Sequence, residues 1–305
     1  MSESQTRPFE PFRLGWEVGR GGMGRIHLGW HERTDRPAAI KLLTMERARE
    51  ERFQRAFRRE VQVLARLNHP NIATIYDYGR IGPGDGASLP EGCRPGTPWY
   101  AMEFVDGLTL EQLGERLRWP LLKQVLLSLL DALARGHAHG VVHRDLKPSN
   151  VIIEEDGSGT GRPVLVDFGL ARQLDEEAAS LSERTGNITG TPQYMAPEQI
   201  SGEVHEQGPW TDLYALGCMV WRLVCGKHLF SGGSTHDVLI SHINEQPGEF
   251  TPTFSVPDRF ELWVRRLLRK LPRARFQRAA DAAWSLLRLS RDWEPEESDR
   301  EDWQS

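Results

Sequence analysis

H-R-D-L-K-P-S-N, His143 to Asn150, followed downstream by Asp167-Phe168-Gly169, is the stretch on which the fold turns. Asp145 is a carboxylate able to take a proton, and Lys147 is a cation two residues on. Asn150 and Asp167 offer oxygens to a metal. Between them, V-I-I (Val151 to Ile153) is a β-branched strand signal, E-E-D-G-S-G-T-G is a polar turn, and P-V-L-V (Pro163 to Val166) returns as a second strand ending at Asp167. Such a hairpin brings Asp145, Asn150 and Asp167 to one end. Two oxygen ligands, a free carboxylate and a lysine suit Mg²⁺-assisted transfer of a phosphoryl group to a hydroxyl.

Upstream, the pattern is that of strands. F-R-L-G-W-E-V leads into G-R-G-G-M-G (Gly19 to Gly24), R-I-H-L-G-W returns, and A-A-I-K-L-L carries Lys41 on a short apolar strand. Strands on both sides make this a glycine-rich hairpin whose backbone N–H groups can approach phosphates. It is no dinucleotide fingerprint, because no helix follows it, and no Walker motif, because no G-K-[ST] closes it. Alone, it reads equally well as a plain turn. Glu50 to Leu67 is helical, with Phe53, Phe57, Val61 and Leu64 as an apolar stripe and Glu60 at its edge, where a lone carboxylate is most simply a surface group. I-A-T-I-Y-D-Y-G and W-Y-A-M-E-F-V are further strands, and the Gly- and Pro-rich segment from Arg80 to Pro98 reads as a flexible excursion.

Helices dominate from Leu108. One apolar face runs from Leu121 to Leu133 and delivers the chain to His143. An extended segment, Gly169 to Pro197, precedes a buried helix from Thr211 to Cys225, and Phe260 to Lys270 and Ala279 to Leu289 are amphipathic.

The 305 residues suffice for one large domain or two lobes sharing a cleft. A net charge of -5 gives no basic field for nucleic acid. The three cysteines, Cys93, Cys218 and Cys225, have no metal spacing and fit a reducing compartment, the last two as buried thiols. The N-terminus lacks the apolar core of a signal peptide, and no apolar run approaches the roughly 20 residues a membrane span needs. A cytoplasmic location is expected.

The ordered set of motifs resembles the eukaryotic-like serine/threonine protein kinases, their bacterial members most of all, from about Phe12 to Leu289. The matching stretches are G-R-G-G-M-G, A-A-I-K, the helix with Glu60, H-R-D-L-K-P-S-N, D-F-G, G-T-P-Q-Y-M-A-P-E and D-L-Y-A-L-G. The resemblance implies an α+β, two-lobed fold. A flexible tail (1–11) precedes a small antiparallel β-sheet lobe with one main helix (12–105). A larger, mostly helical lobe (106–289) and an acidic tail (290–305) follow. It implies ATP and Mg²⁺ (or Mn²⁺), protein substrates with Ser/Thr acceptors, and self-association as a route to autophosphorylation.

Roles follow by position. Lys41 would hold the α and β phosphates and pair with Glu60. Asp145 would orient the substrate hydroxyl, Lys147 would stabilise charge on the transferred phosphate, and Asn150 and Asp167 would bind metal. Gly19, Gly21, Gly22 and Gly24 would cover the phosphates. Val18 or Ile26, with Ala39 and Ile152, would sandwich the adenine, with Met102 as gatekeeper and the backbones of Glu103 and Val105 at its edge. Leu64, Ile75, His143 and Phe168 match the packed column that joins the lobes. Thr191 would bond Asp145 and Lys147, Glu198 would pair with Arg275, and Asp212 would anchor the catalytic-loop backbone. Lys147 and Thr191 favour Ser/Thr over tyrosine as acceptor.

Two departures from the pattern matter. A-A-I-K stands for the commoner V-A-I-K, and Asn187 occupies the position that is a phosphorylated threonine in many relatives. Thr185 is then the expected phosphosite, bridged by Arg144 and Arg172, with Ser180, Ser182 and Thr189 as lesser candidates. Glu183 could act instead as a permanent substitute. The competing functions are a pseudokinase scaffold or nucleotide-binding signalling module, and an ATPase without protein substrate. The presence of Lys41, Asp145 and Asp167 argues against the scaffold.

Overall fold

The computed structural model describes residues 9–21, 24–44, 46–82, 89–155, 161–167 and 191–289. These residues form two compact units, 9–105 and 106–289.

In the first unit, β1 (Phe12–Gly21), β2 (Gly24–His31), β3 (Pro37–Leu42), β4 (Ile75–Arg80) and β5 (Pro98–Glu103) make a five-stranded antiparallel sheet in the order β1-β2-β3-β5-β4. Side chains alternate across it. Ala38, Ile40, Leu42, Trp99 and Ala101 pack with Phe9 and Phe12 in one core cluster. Tyr100, one residue out of phase, meets Phe57 of helix α1 (Glu51–Leu64), ring centroids 6.5 Å apart. The α1 stripe Phe53, Phe57, Val61 and Leu64 is buried, as its spacing requires.

The described part of the 80–98 connection is not the loose excursion its composition suggests. Cys93 and Ile81 belong to the sheet core, with Leu89 packed against it. The Ile81 N–H donates to the Thr97 carbonyl (3.0 Å) and the Gly96 N–H to the Ile81 carbonyl (2.8 Å). Gln54 of α1 donates to the Gly96 carbonyl at 3.0 Å. A few buried apolar groups and satisfied backbone bonds outweigh a Gly- and Pro-rich composition.

In the second unit, β6 (Gly107–Thr109), β7 (Val151–Glu154) and β8 (Arg162–Leu165) form a three-stranded antiparallel sheet. The sequence pattern gives β7 and β8 but not β6. Gly107 lets β6 approach: a Cβ there would lie 2.1 Å from the Ile153 carbonyl oxygen. Helices α2 (Leu110–Leu113), α3 (Trp119–Ala138), α4 (Pro197–Ile200), α5 (Pro209–Cys225), α6 (Thr235–Asn244), α7 (Phe260–Leu267) and α8 (Ala279–Leu289) complete the unit. Helix α5 is buried almost all round from Thr211 to Trp221, the mark of a central helix. Gly217 permits the close approach of α7, since a Cβ would meet the Leu267 side chain at 2.9 Å. Helix α6 has a capping box in which the Ser234 hydroxyl accepts from the Asp237 N–H and the Asp237 carboxylate from the Ser234 N–H. Among the described residues no helix is long and apolar enough to cross a membrane.

Candidate active site

In the first unit the register places the expected nucleotide-binding side chains on one face. Lys41 lies opposite Ile26 and Tyr100, and Ala39 opposite Leu28 and Met102. Val18 is 47% exposed, a large apolar group left to solvent, whereas Val105 is buried. The Glu103 N–H donates to the Thr74 carbonyl at 2.8 Å, so it is not available to a ligand.

The glycines of the hairpin differ in what they do. Gly24 is required by packing, because a Cβ would lie 2.0 Å from the Leu42 carbonyl oxygen. A Cβ on Gly21 would meet nothing within 4 Å, and one on Gly19 only the Ile26 side chain at 3.8 Å. Packing does not demand glycine at these two positions, and the open space beside their backbones suits a polyphosphate. Gly22 lies outside the described residues.

Ion pairs that the sequence does not reveal brace this hairpin. Glu17 accepts from Arg20 Nε and Arg25 Nη1, each at 3.0 Å, and Glu91 of the 80–98 connection pairs with Arg25 Nη2 at 2.9 Å. The hydrogen bond from Arg20, reinforced by Arg25, holds the Glu17 carboxyl below the usual range, and Arg25 does the same for Glu91. On α1, Glu60 accepts from its neighbour Arg59 at 3.0 Å, through Oε1.

In the second unit the H-R-D-L-K-P-S-N stretch is an irregular loop hung on one buried carboxylate. Asp212, in the first turn of α5, accepts the N–H groups of His143 and Arg144 at 2.8 Å each, and His137 Nε2 lies 2.8 Å from it. Burial works against the ionised form of Asp212, but the His137 hydrogen bond and its other partners prevail and hold the carboxyl below its usual range. Arg144 has φ +64°, the left-handed region that side chains other than glycine avoid. The Asp212 bond and that from Gln199 Nε2 to the Arg144 carbonyl (3.1 Å) hold it there. His143 is fully buried, and desolvation keeps its imidazole neutral despite the acids nearby.

This strained turn sets Asp145. Lys147 Nζ donates to Asp145 Oδ2 at 2.7 Å and to Thr191 Oγ1 at 3.2 Å. Asn150 Nδ2 donates to the Asp145 carbonyl at 2.8 Å and to Oδ2 at 3.3 Å. Thr191 therefore reaches Asp145 through Lys147, not directly as the motif match suggests. With its Nδ2 committed, Asn150 keeps its amide oxygen for a cation. Asp167 follows β8 with φ +55°. One amide and one carboxylate oxygen are a hard donor set, too few for a cage of protein ligands. They fit a cation such as Mg²⁺ that retains water and phosphate oxygens. Ile152 is half-buried on β7.

Residues 191–200 are tied to the same helix start. Glu198 and Arg275 form a buried two-point ion pair at 2.7 and 2.9 Å, and the Thr211 hydroxyl donates to Glu198 at 2.8 Å. Phe168, Arg172, Ser180, Ser182, Thr185 and Thr189 lie outside the described residues.

The family model described as "Protein kinase domain" matches residues 12–283. A probable serine/threonine-protein kinase PknB of Bifidobacterium longum is 34% identical over 275 residues, covering 89% of this chain and 38% of that protein. The serine/threonine-protein kinase PknB of Mycobacterium tuberculosis is 33% identical over 292 residues, covering 93% of this chain and 44% of that protein. The chain thus spans less than half the length of these relatives. Among solved structures, the Mycobacterium tuberculosis PknI kinase domain aligns with TM-score 0.65 at 26% identity, covering 92% of this chain and 97% of that one. The apo form of PpkA-294 aligns with TM-score 0.68 at 27% identity, covering 94% and 100%.

Proposed function

The chain belongs to the protein kinase domain family, and from that premise we propose that it transfers the γ-phosphate of ATP to serine or threonine hydroxyls of proteins. One observation carries the reading: Lys147 bonds both Asp145 and Thr191. A carboxylate and an ammonium held together in this way supply a proton acceptor and a countercharge within one hydrogen bond, as transfer to a hydroxyl requires.

Asp145 accepts and orients the hydroxyl proton, with Asn150 fixing its carboxylate. Lys147 stabilises negative charge on the phosphoryl oxygens. Lys41 holds the α and β phosphates, with Glu60 exchanging Arg59 for Lys41 as partner. The backbones of Gly19 and Gly21 approach the phosphates, and Val18, Ile26, Ala39, Met102 and Ile152 supply apolar surface to the base. A divalent cation, Mg²⁺ or Mn²⁺, when bound neutralises phosphate charge; Asn150 and Asp167 are the residues that hold it. Phosphorylation of the chain itself, with Thr185 foremost, belongs to the same reading.

The test is transfer of radiolabel from γ-labelled ATP to a generic protein substrate and to the chain itself. Asp145→Asn is expected to lower transfer roughly 10²- to 10⁴-fold, the range for loss of a general base. Transfer at the wild-type rate by that variant would overturn the assignment. Release of label only as inorganic phosphate would favour an ATPase.

A further inference from the structure

A pocket of about 440 Å³ lies within the second unit, beside the catalytic loop. Its wall includes Pro148, the residue after Lys147, and Tyr194, three residues past Thr191. Arg118 and Arg222 also line it, both half-buried, with the exposed Glu111. A peptide that presents a hydroxyl to Asp145 must therefore run past this pocket within a few residues of the acceptor.

Among the described lining residues there are two guanidinium groups, Arg118 and Arg222, and one carboxylate, Glu111. The guanidinium of Arg222 donates to the Gly226 carbonyl, and among the described residues no carboxylate lies within ion-pair distance of it. Half-buried and, among the described residues, bonded to a neutral carbonyl alone, Arg222 has most of its donors and its full charge to offer a ligand. Arg118, which donates to the Leu117 carbonyl at 3.0 Å and has other partners besides, lies in the same wall. Glu111 is the opposing charge among the described lining residues, but it is exposed, where water and salt screen it. The buried Tyr194 hydroxyl stays protonated, first through desolvation and then through Glu111, and is a neutral donor.

We propose that this pocket is a specificity subsite in which Arg222 binds an anionic side chain of the substrate (Asp, Glu or a phosphorylated residue) within four positions of the phosphoacceptor. The proposal rests on the phosphotransferase reading above. A planar guanidinium matches a carboxylate or phosphate by two parallel hydrogen bonds, and Lys would not replace it equally well.

The test is a positional-scanning library of Ser/Thr peptides, fixed in turn as Ala, Asp, Glu, phosphoserine, Lys and Arg at each of four positions on either side of the acceptor. The wild type is expected to favour acidic over alanine peptides at one position by roughly tenfold in kcat/KM, the scale of one charge-assisted hydrogen bond. Selection of phosphoserine above Asp and Glu would name a primed substrate, and the reverse an acidic one; both support the subsite. Arg222→Gln is expected to bring that ratio close to one within the same variant, and Arg222→Glu to turn the preference toward Lys and Arg. Thermal melts report whether each variant is folded. A wild type with no acidic preference, or with a preference for Lys or Arg through Glu111, would overturn the proposal while leaving phosphotransfer intact. A wild type that labels no peptide and no protein would instead remove the reading beneath it, and the subsite with it.

Discussion

Asp212→Asn tests how the catalytic loop is held. The substitution keeps size and shape but replaces one acceptor oxygen with an NH₂ group. In the structure both oxygens are used: Oδ1 by the Arg144 N–H, Oδ2 by the His143 N–H and His137. Whichever way the amide turns, a donor faces a buried donor. Hydrogen bonds to a charged group contribute about 1.5–3 kcal/mol each, and an unsatisfied buried donor costs about 1–3 kcal/mol, so a loss of about 3–5 kcal/mol is expected. For a protein of this size that is roughly a 10 °C drop in Tm. The catalytic effect should be larger. With the NH₂ group at Oδ1 Arg144 loses its acceptor, and with it at Oδ2 the preceding residue His143 does; either way the turn has less to hold Arg144 at φ +64°, and Asp145 is the next residue. A displacement of about 1 Å at a reacting group is enough to cost on the order of 10²-fold in rate. The assays are thermal unfolding and kcat on a protein substrate. A variant that melted with the wild type and kept kcat within about twofold would refute the view that this carboxylate sustains the strained turn.

Four further outcomes are expected. Gly24→Ala should destabilise the first unit, because its Cβ meets the Leu42 carbonyl at 2.0 Å, whereas Gly21→Ala should leave the melt unchanged and raise KM for ATP; both are read by melting and nucleotide titration. Glu198→Gln should cost about 3–5 kcal/mol in denaturant unfolding, because it leaves the buried Arg275 charge without its carboxylate. Chelation of divalent cations should abolish transfer and excess Mg²⁺ restore it, without a change in circular dichroism. Buried His242, its pKa lowered to about 3 by desolvation and then by Lys270, resists protonation that the unfolded chain accepts below its ordinary 6.5. Its contribution to stability is thus complete above pH 6.5 and lost as pH falls toward 3, about 2 kcal/mol by pH 5, and His242→Gln should flatten that part of the stability curve.

The motifs were readable because each is short and imposes its own local geometry. Two strands about a turn, an apolar stripe at helical spacing, and a proline-containing H-R-D-L-K-P-S-N loop need no long-range partner to be recognised. Asp212, Glu198 and Arg275 were assigned through the family pattern, and their hydrogen bonds are present in the structure. What escaped depends on distant contacts. Strand β6 is three residues long and exists through its pairing with β7. Residues 89–97 look loose because their anchors are few, yet Leu89 and Cys93 pack in or against the sheet core. Glu91 is one acid among many until the fold brings it to Arg25. Helix α6 could have been found from S-T-H-D followed by V-L-I, a capping-box signature before an apolar run.

The two polar anchors of the second unit meet at a single dipeptide. Thr211 and Asp212 open α5, where the positive end of the helix dipole favours negative charge. Asp212 fixes the backbone ahead of Asp145, while the Thr211 hydroxyl donates to Glu198, which is itself paired with Arg275. A buried carboxylate is costly unless saturated with donors, and a loop with left-handed residues is costly unless its backbone is bound. Each acid here removes its own penalty by relieving the other partner's. Asp212 takes the two N–H groups that the catalytic loop cannot satisfy internally, and Glu198 takes the guanidinium and hydroxyl that would otherwise be buried without an acceptor. The two networks are anchored at adjacent residues of α5, which ties loop, segment and helix start to one another. That is the physical reason Lys147 can link Asp145 to Thr191: the two groups it joins are held, through adjacent residues, by the same first turn of α5.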